Sequence, residues 1–570
     1  MLSKKIIAIV GGGPSALFMY KRLTESKQPV SIHIFEKNAA LGEGMPYSKD
    51  GACDEHITNV SGNEIPEMAT SVEEWIETAP GELLAHYNIS RENFNDYKVF
   101  PRLFFGKYLS GQFDVLLGQA KIKGIQTKVH LNSHVTDITD LPAEEKVLIT
   151  SSTGSYDFDH VIICTGHNWP VSHEGKVANY FDSPYPPSKL AIKSNYPVAL
   201  RGASLTAIDA IRTLSRQNGK FIHRESNKYE YILKEESKEF KIIMLSREGM
   251  LPAIRFHLED THLGKDSVLS DEEVKDNMKI NDGFLSLDYV FEKNFKDAFK
   301  GNDPEMYERI KDMSIEKFVE AMMSLREKLD AFTLFKAEYN EAEKSIKKEE
   351  SVYWKEMLAV LSFAMNYPAK HFSAEDMLRL QKVLMPLISV VIAFVPQSSS
   401  RELIALHDAG ILEIVPVGED NCVTVEEHGG ATIHFTDEKG VKHSDYYKLF
   451  VDCIGQPHLH FEQFPFKSLR DDKVIAPALL KFRSREKGRA VFSSDRHKIS
   501  KSDTGDYYLN VPGIAINDHF QVVDRYGALN PRIYIMAVPY IGGYNPDYSG
   551  LDFCEAASAK IVKQLFEKES

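Results

Sequence analysis

Two strand–glycine–helix units, one at the start of the chain and one near residue 200, flank a central stretch of helical periodicity without strand signals. Together they predict an α/β protein of two Rossmann-like dinucleotide-binding domains with an inserted helical subdomain. In the first unit, Ile6 to Val10 form a short continuous apolar run, as a parallel strand buried on both faces requires. Gly11, Gly13 and Ala16 follow as G-x-G-x-x-A, with Pro14 in the first helical turn and a helical pattern from Ser15. Gly11 permits the tight turn, Gly13 lets a pyrophosphate approach the backbone, and Ala16 lets the helix pack close to the sheet. The helix N-terminus adds N–H donors and the positive end of its dipole. A second strand, Ser31 to Phe35, ends at Glu36, whose carboxylate can accept hydrogen bonds from a ribose.

The second unit repeats this logic with departures. Residues Pro197 to Leu214 give a strand, then Gly202, Ser204 and Ala207, then an amphipathic helix. The strand Ile242 to Leu245 leads to Ser246 and Arg247, and a guanidinium there suits the 2′-phosphate of NADPH. The other reading of Arg247 is a surface arginine paired with an acid. Ser204 replaces the second glycine, and the polar stretch Gln217 to Lys241, read as a surface hairpin, lengthens the interval to Arg247. Tyr156 to Gly166 and Tyr447 to Gly455 are matching strands that end at glycine, each following short alternating strands. Such a strand returns from each domain's small sheet and ends beside its cofactor. Between about Ile254 and Met385, Phe318, Met322, Leu325, Leu329 and Phe332 recur at helical spacing. The plain reading is an inserted subdomain with an ordinary core; the sharper one is that it roofs the cleft between cofactors and shapes a substrate pocket.

At about 150 residues per domain, the length suggests some four structural units, although α/β enzymes weave one domain from several segments. Composition is 43% hydrophobic and 26% charged, which excludes a disordered or fibrous chain. Net charge −14 argues against nucleic-acid binding, which needs basic surface. Five dispersed cysteines without a Cys-x-x-Cys suggest a reducing compartment and remove the dithiol of flavin disulfide reductases. The longest apolar run, Val383 to Val395, is too short to span a bilayer, and the start of the chain lacks a signal-peptide pattern. A cytoplasmic protein without membrane contact is expected. Asp54-Glu55-His56 offers three ligand-capable residues in a row, but adjacent side chains rarely converge; it reads as a solvated loop, and no metal is expected.

The segments IAIVGGGPSA (Ile7 to Ala16), HITNVSGN (His56 to Asn63), FPRLFFGKYL (Phe100 to Leu109), SLTAID (Ser204 to Asp209), LSREGMLP (Leu245 to Pro252) and IYIMAVPYIGG (Ile533 to Gly543) resemble two-dinucleotide-binding flavoproteins. That class contains the flavin monooxygenases and amine N-hydroxylases. More narrowly, the chain is similar to bacterial FAD/NAD(P)-binding proteins that include nitrosuccinate-synthase-like N-oxygenating enzymes. The resemblance implies FAD at Gly11, Gly13, Pro14, Ser15, Ala16 and Glu36, with Val135 near adenine and Thr165 and Gly166 approaching from the returning strand. It implies NADPH at Gly202, Ser204, Ser246 and Arg247. Asn59 reads either as a flavin neighbour or as a buried asparagine that satisfies loop backbone, and Arg102 either faces the active site or pairs with a carboxylate. The class often ends its last FAD strand with Gly-Asp, absent here; Gly542 and Gly543 are expected to admit the isoalloxazine edge instead.

The expected domains are residues 1–195 and 446–570 for FAD, 196–253 and 386–445 for NAD(P), and 254–385 for the helical insertion. The resemblance implies an NAD(P)H-driven monooxygenase, with hydride passing to FAD, oxygen adding at flavin C4a, and a small amine or amino acid as substrate. Such chemistry asks little of protein side chains beyond orientation and water exclusion, so no catalytic residue is assigned. A flavin reductase without oxygenation and a non-catalytic flavoprotein are the alternatives.

Overall fold

The computed structural model describes residues 4–92, 94–224, 228–259, 268–366, 368–456, 458–547 and 550–566. Its first sheet has six strands in the order Gln521–Val523, Leu529–Ile535, His160–Ile163, Lys5–Val10, Val30–Phe35 and Gln126–His130. All neighbours are parallel except the outermost pair. Lys5–Val10 lies between two strands and under the Pro14–Glu25 helix, so Ile7, Ala8 and Ile9 are fully buried. That burial on both faces is why this strand is continuously apolar. The second sheet, wholly parallel, runs Tyr180–Phe181, Leu449–Asp452, Pro197–Arg201, Lys241–Ser246 and Leu412–Pro416. Its central strand is equally hidden at Val198, Ala199 and Leu200.

Each sheet carries an antiparallel three-stranded companion, Val135–Leu141 with Lys146–Ser151 and Gly154–Phe158 in the first unit. Cys422–Val425, Ala431–Thr436 and Lys442–Tyr447 form the second. Each companion feeds its own returning strand, His160–Ile163 or Leu449–Asp452. Within the polar stretch after residue 217, Gly219–His223 and Tyr229–Leu233 pair antiparallel.

Three expected boundaries need correction. Leu449–Asp452 belongs to the second sheet, so that unit runs beyond residue 445. A returning strand must join its own sheet to bring its end beside its own glycine turn. Tyr180–Phe181, assigned above to the FAD unit, also joins the second sheet. The helical region does not stop at 385: the helical turns of Leu380–Leu384 run on into Met385–Val391, and Pro386 sits where the wide turn gives way to regular helix.

The insertion packs around Phe291, Phe295, Phe299, Phe318, Leu358 and Leu380. A three-stranded sheet from the C-terminal part, Pro477–Lys481, Tyr507–Ile514 and Ile499–Lys501, shares that core through Leu480 and Leu509. That part of 446–570 therefore serves the insertion. The C-terminal helix Gly550–Phe566 returns to the first unit and packs on the Pro14–Glu25 helix. Among the described residues, no helix is long and apolar enough to cross a membrane.

Candidate functional site

The two glycine corners are built alike. Gly11 has φ +106°, and a Cβ there would lie 2.6 Å from the carbonyl oxygen of Cys164. Gly202 has φ +124°, and its Cβ would lie 2.5 Å from the carbonyl oxygen of Cys453. Only glycine fits either place. In both units the residue ending the returning strand donates its amide to the first strand, Cys164 to Val10 and Cys453 to Arg201, each at 2.8 Å. The helices that follow, Pro14–Glu25 and Leu205–Asn218, have neither a side-chain cap nor an acid in the first turn. Elsewhere Ser71 and Ser270 close complete capping boxes. The two uncapped N-termini thus keep donors and positive dipole ends for an anion.

Around the first corner, Glu36 is buried and accepts hydrogen bonds from the amides of Gly12 at 2.7 Å and Asn38 at 2.8 Å. A carboxylate has about four lone-pair sites, so Glu36 retains acceptor capacity for a ribose. A Cβ on Gly13 would come within 3.2 Å of the Gly44 Cα, so the Gly42–Gly44 loop lies over this end of the helix. Ala16 is fully buried against the sheet, and the Ser15 hydroxyl meets the Cys554 thiol at 3.3 Å. Val135 opens its strand opposite Ser151. Among the described residues the buried Thr165 hydroxyl has no hydrogen-bond partner, and a Cβ on Gly166 would meet nothing within 4 Å. A stranded donor beside open space, next to a glycine corner and an uncapped helix, fits a polar, phosphate-bearing cofactor.

At the second corner, Ser204 is the N-cap residue of its helix and Ser246 ends its strand, largely buried. Arg247 is exposed and enters no ion pair among the described residues, so the surface-pair reading does not apply to it. Gly543 is a correction. A Cβ there would meet the Pro512 carbonyl oxygen at 2.4 Å, and on Gly542 it would meet the His458 imidazole at 2.0 Å. These glycines accommodate protein groups, not a flavin edge.

The loops leaving the two returning strands dock on each other. Asn168 donates its amide to the Gln456 side chain at 3.0 Å, and Gln456 returns a bond to the Asn168 carbonyl at 2.7 Å. Trp169 Nε1 donates to the Gly455 carbonyl at 3.2 Å. Beneath them lies a cleft of about 400 Å³ whose lining includes Asn59, Arg102, His167, Trp169, Tyr185 and Thr206. The insertion adds Ala359, and Ile392 and Phe394 follow just behind it. Asn59 thus reaches the cleft, while its carbonyl accepts from Arg255.

One buried carboxylate ties the units together. Asp209, on the second unit's helix, accepts from Arg102 Nη1 at 2.5 Å and from the Tyr185 hydroxyl at 2.7 Å. His56 Nδ1 accepts from the Cys53 amide at 2.8 Å, which leaves Nε2 to donate to the Asp209 carbonyl at 3.1 Å. Arg102 pairs with a carboxylate and also lines the cleft. Burial lowers its affinity for a proton, but Asp209 outweighs this and the guanidinium is held above its usual range. The Tyr185 hydroxyl is pushed well up by burial and then by Asp209. His167 opens to the cleft yet is enclosed by protein around it; burial, then Arg102, lowers it to about 4, so it is neutral near pH 7.

The Asp54–His56 segment is not a solvated loop, because His56 is fully buried. Cys53, Glu55 and His56 converge with ligand-type atoms within 4.8 Å of one another. Both His56 nitrogens are committed to backbone, so the convergence is structural. Tyr185 and Trp169 escaped the sequence reading, Asp209 entered it only within the SLTAID segment, and His56 only as part of a solvated loop. The available signal was an acid at Asp209, set within the buried face formed by Ala207, Ile208, Ala210 and Ile211.

Fold and site define the class: the chain is an α/β protein with Rossmann-type FAD/NAD(P)-binding architecture, and residues 8–168 match the FAD-NAD(P)-binding domain family. More particularly, it is similar to YdhS of Escherichia coli (strain K12), with 29% identity over 473 residues, 82% of this chain and 86% of that one. Residues 270–392 match the YdhS-like middle domain, which coincides with the helical insertion. Similar solved structures include an ornithine N-hydroxylase of Kutzneria sp. 744 (11% identity, TM-score 0.47, 99% of each chain). Others are an ornithine hydroxylase of Pseudomonas aeruginosa (10%, 0.46, 99% of this chain and 100% of that one) and a bacillithiol disulfide reductase of Staphylococcus aureus (11%, 0.42, 100% of each).

Proposed function

We propose that the protein is an FAD-dependent, NADPH-driven monooxygenase of a small molecule, with oxygenation of an amine or amino acid nitrogen as its reaction. The observation that carries the reading is the pair of like-built glycine corners, whose returning-strand loops are joined by the Asn168–Gln456 bonds over one cleft. When bound, FAD accepts a hydride and supplies the electrons that activate oxygen. The chain's own residues bind and enclose. Gly11, Gly13, Pro14, Ser15, Ala16 and Glu36 hold the pyrophosphate and ribose. Val135 meets the adenine, and the Thr165 hydroxyl donates its unused proton beside Gly166. Gly202, Ser204 and Ser246 receive the second dinucleotide, and unpaired Arg247 takes its 2′-phosphate.

Thiol chemistry at the three cysteines buried near the two corners is disfavoured on physical grounds. Cys164 and Cys453 are buried, and burial pushes both thiols well above their ordinary range; Cys554 is pushed to about 12. A thiol so raised is a poor nucleophile. Ala359, Ile392 and Phe394 give the cleft one apolar wall, and an oxygenase needs water kept from its flavin to prevent wasteful release of peroxide. The test is oxygen bookkeeping with ¹⁸O₂ and NADPH over a panel of amines. One labelled oxygen in product per NADPH consumed supports the reading, and peroxide as the sole oxygen product across the panel contradicts it.

A further inference from the structure

One wall of the cleft is wholly apolar. The first unit mixes Thr58, Asn59, Arg102 and His167 with Met45, Pro46, Val60 and Trp169, whereas the insertion and the segment leaving it contribute only Ala359, Ile392 and Phe394. Phe394 has φ +51°, a left-handed conformation that costs a bulky residue and that glycine would take freely. The conformation is held firmly: Val395 donates to Ala253 at 3.0 Å, Arg255 to Val395 at 2.9 Å, and Ala253 to Val390 at 2.8 Å. The ring is braced edge-on against Phe256 at 5.2 Å. Strain retained at a cleft wall points to the ring's placement as the thing preserved.

The charges tell a second, independent story. Arg102 is the one cation among the described residues lining the cleft, and Asp209 and Tyr185 already engage it. Three carboxylates, Glu64, Asp547 and Asp552, line the same space, and Glu64 is held by Arg255 from behind the wall. A carboxylate entering here would face acids and find no uncommitted cation. Desolvating it without a partner is unfavourable, which favours a substrate that carries no carboxylate.

We infer that the substrate is an amine with an apolar body and no carboxylate, its body seated on Phe394 and Ile392, and that Phe394 sets the size of body accepted. This rests on the monooxygenase reading and narrows it, by removing free amino acids from the substrate class.

The test uses purified, FAD-loaded protein and matched pairs that differ only by a carboxylate: phenethylamine with phenylalanine, isoamylamine with leucine, putrescine with ornithine. Binding is read from perturbation of the flavin absorbance, and reduction by NADPH is followed separately. The expected result is at least tenfold tighter binding of the amine in the two apolar pairs, with putrescine weaker than either apolar amine. Equal or tighter binding of the amino acids overturns the inference. So does binding of no member of any pair while NADPH still reduces the flavin, which leaves the oxidoreductase reading standing; absence of reduction removes that reading itself. Phe394→Ala should weaken phenethylamine about fivefold and strengthen a naphthyl-bodied amine, and Phe394→Leu serves if the alanine variant does not fold. An unchanged ranking in either variant removes Phe394 from the role.

Discussion

Asp209→Asn is the most informative single change. Asp209 is 5% exposed and receives Arg102 at 2.5 Å and Tyr185 at 2.7 Å, while its backbone carbonyl accepts from His56. The substitution keeps the shape but removes the charge, leaving a largely buried guanidinium without its counter-ion. Breaking a buried pair by removing one partner costs about 3–5 kcal/mol. Asparagine still offers one carbonyl oxygen, and Arg102 keeps its bond from Nε to the Ile57 carbonyl, so the low end, about 3 kcal/mol, is expected. Arg102→Met removes the cation as well, so the double variant should recover part of the loss. The assay is urea denaturation of the FAD-loaded protein followed by flavin fluorescence, with all four members of the cycle. A coupling of about 1.5 kcal/mol or more is expected; additivity within about 0.5 kcal/mol would show that the two residues do not depend on each other.

Other expectations are independent of that cycle. Gly11→Ala places a Cβ against the Cys164 carbonyl at φ +106° and should abolish flavin retention on gel filtration, whereas Gly202→Ala should keep the flavin and lose reduction by NADPH. Thr165→Val removes a buried hydroxyl with no partner, so the FAD-free protein should be no less stable while FAD binding weakens by about 1 kcal/mol; unchanged FAD affinity would remove Thr165 from the site. Arg247→Ala should weaken NADPH by about 1.5–3 kcal/mol, read by titration, and NADH hardly at all. Burial lowers His160 and His458 to about 4, below the unfolded value near 6.5. Their neutral forms therefore contribute stability that is present above pH 6.5 and lost as pH falls toward 4. The melting temperature should decline from pH 7 to pH 5, and a flat profile there would contradict the burial of these rings.

Local chemistry made much of this fold legible in the sequence. Ile6 to Val10 had to be a two-sided buried strand, and the order of Gly11, Pro14, Ala16 and Glu36 matched the corner that forms. The likeness of Cys164-Thr-Gly166 to Cys453-Ile-Gly455 already marked two returning strands. What escaped depends on contacts distant along the chain. Nothing near Asp209 shows that it meets Arg102, 107 residues earlier, or Tyr185, 24 earlier. The error at Gly543 came from assigning glycine's spare room to a ligand when Pro512 and Val511 occupy it. Tyr180–Phe181 is two residues long, too short to show periodicity.

The most direct test of the central claim is anaerobic mixing of the purified yellow protein with NADPH, followed by oxygen, with the flavin spectrum recorded throughout. The account predicts bleaching of the flavin by NADPH, then delayed rather than immediate return of the oxidised spectrum, and a shorter delay when an apolar amine is present. Absence of bleaching with NADPH and with NADH would contradict it, because the two corners would then not bring a nicotinamide to the flavin.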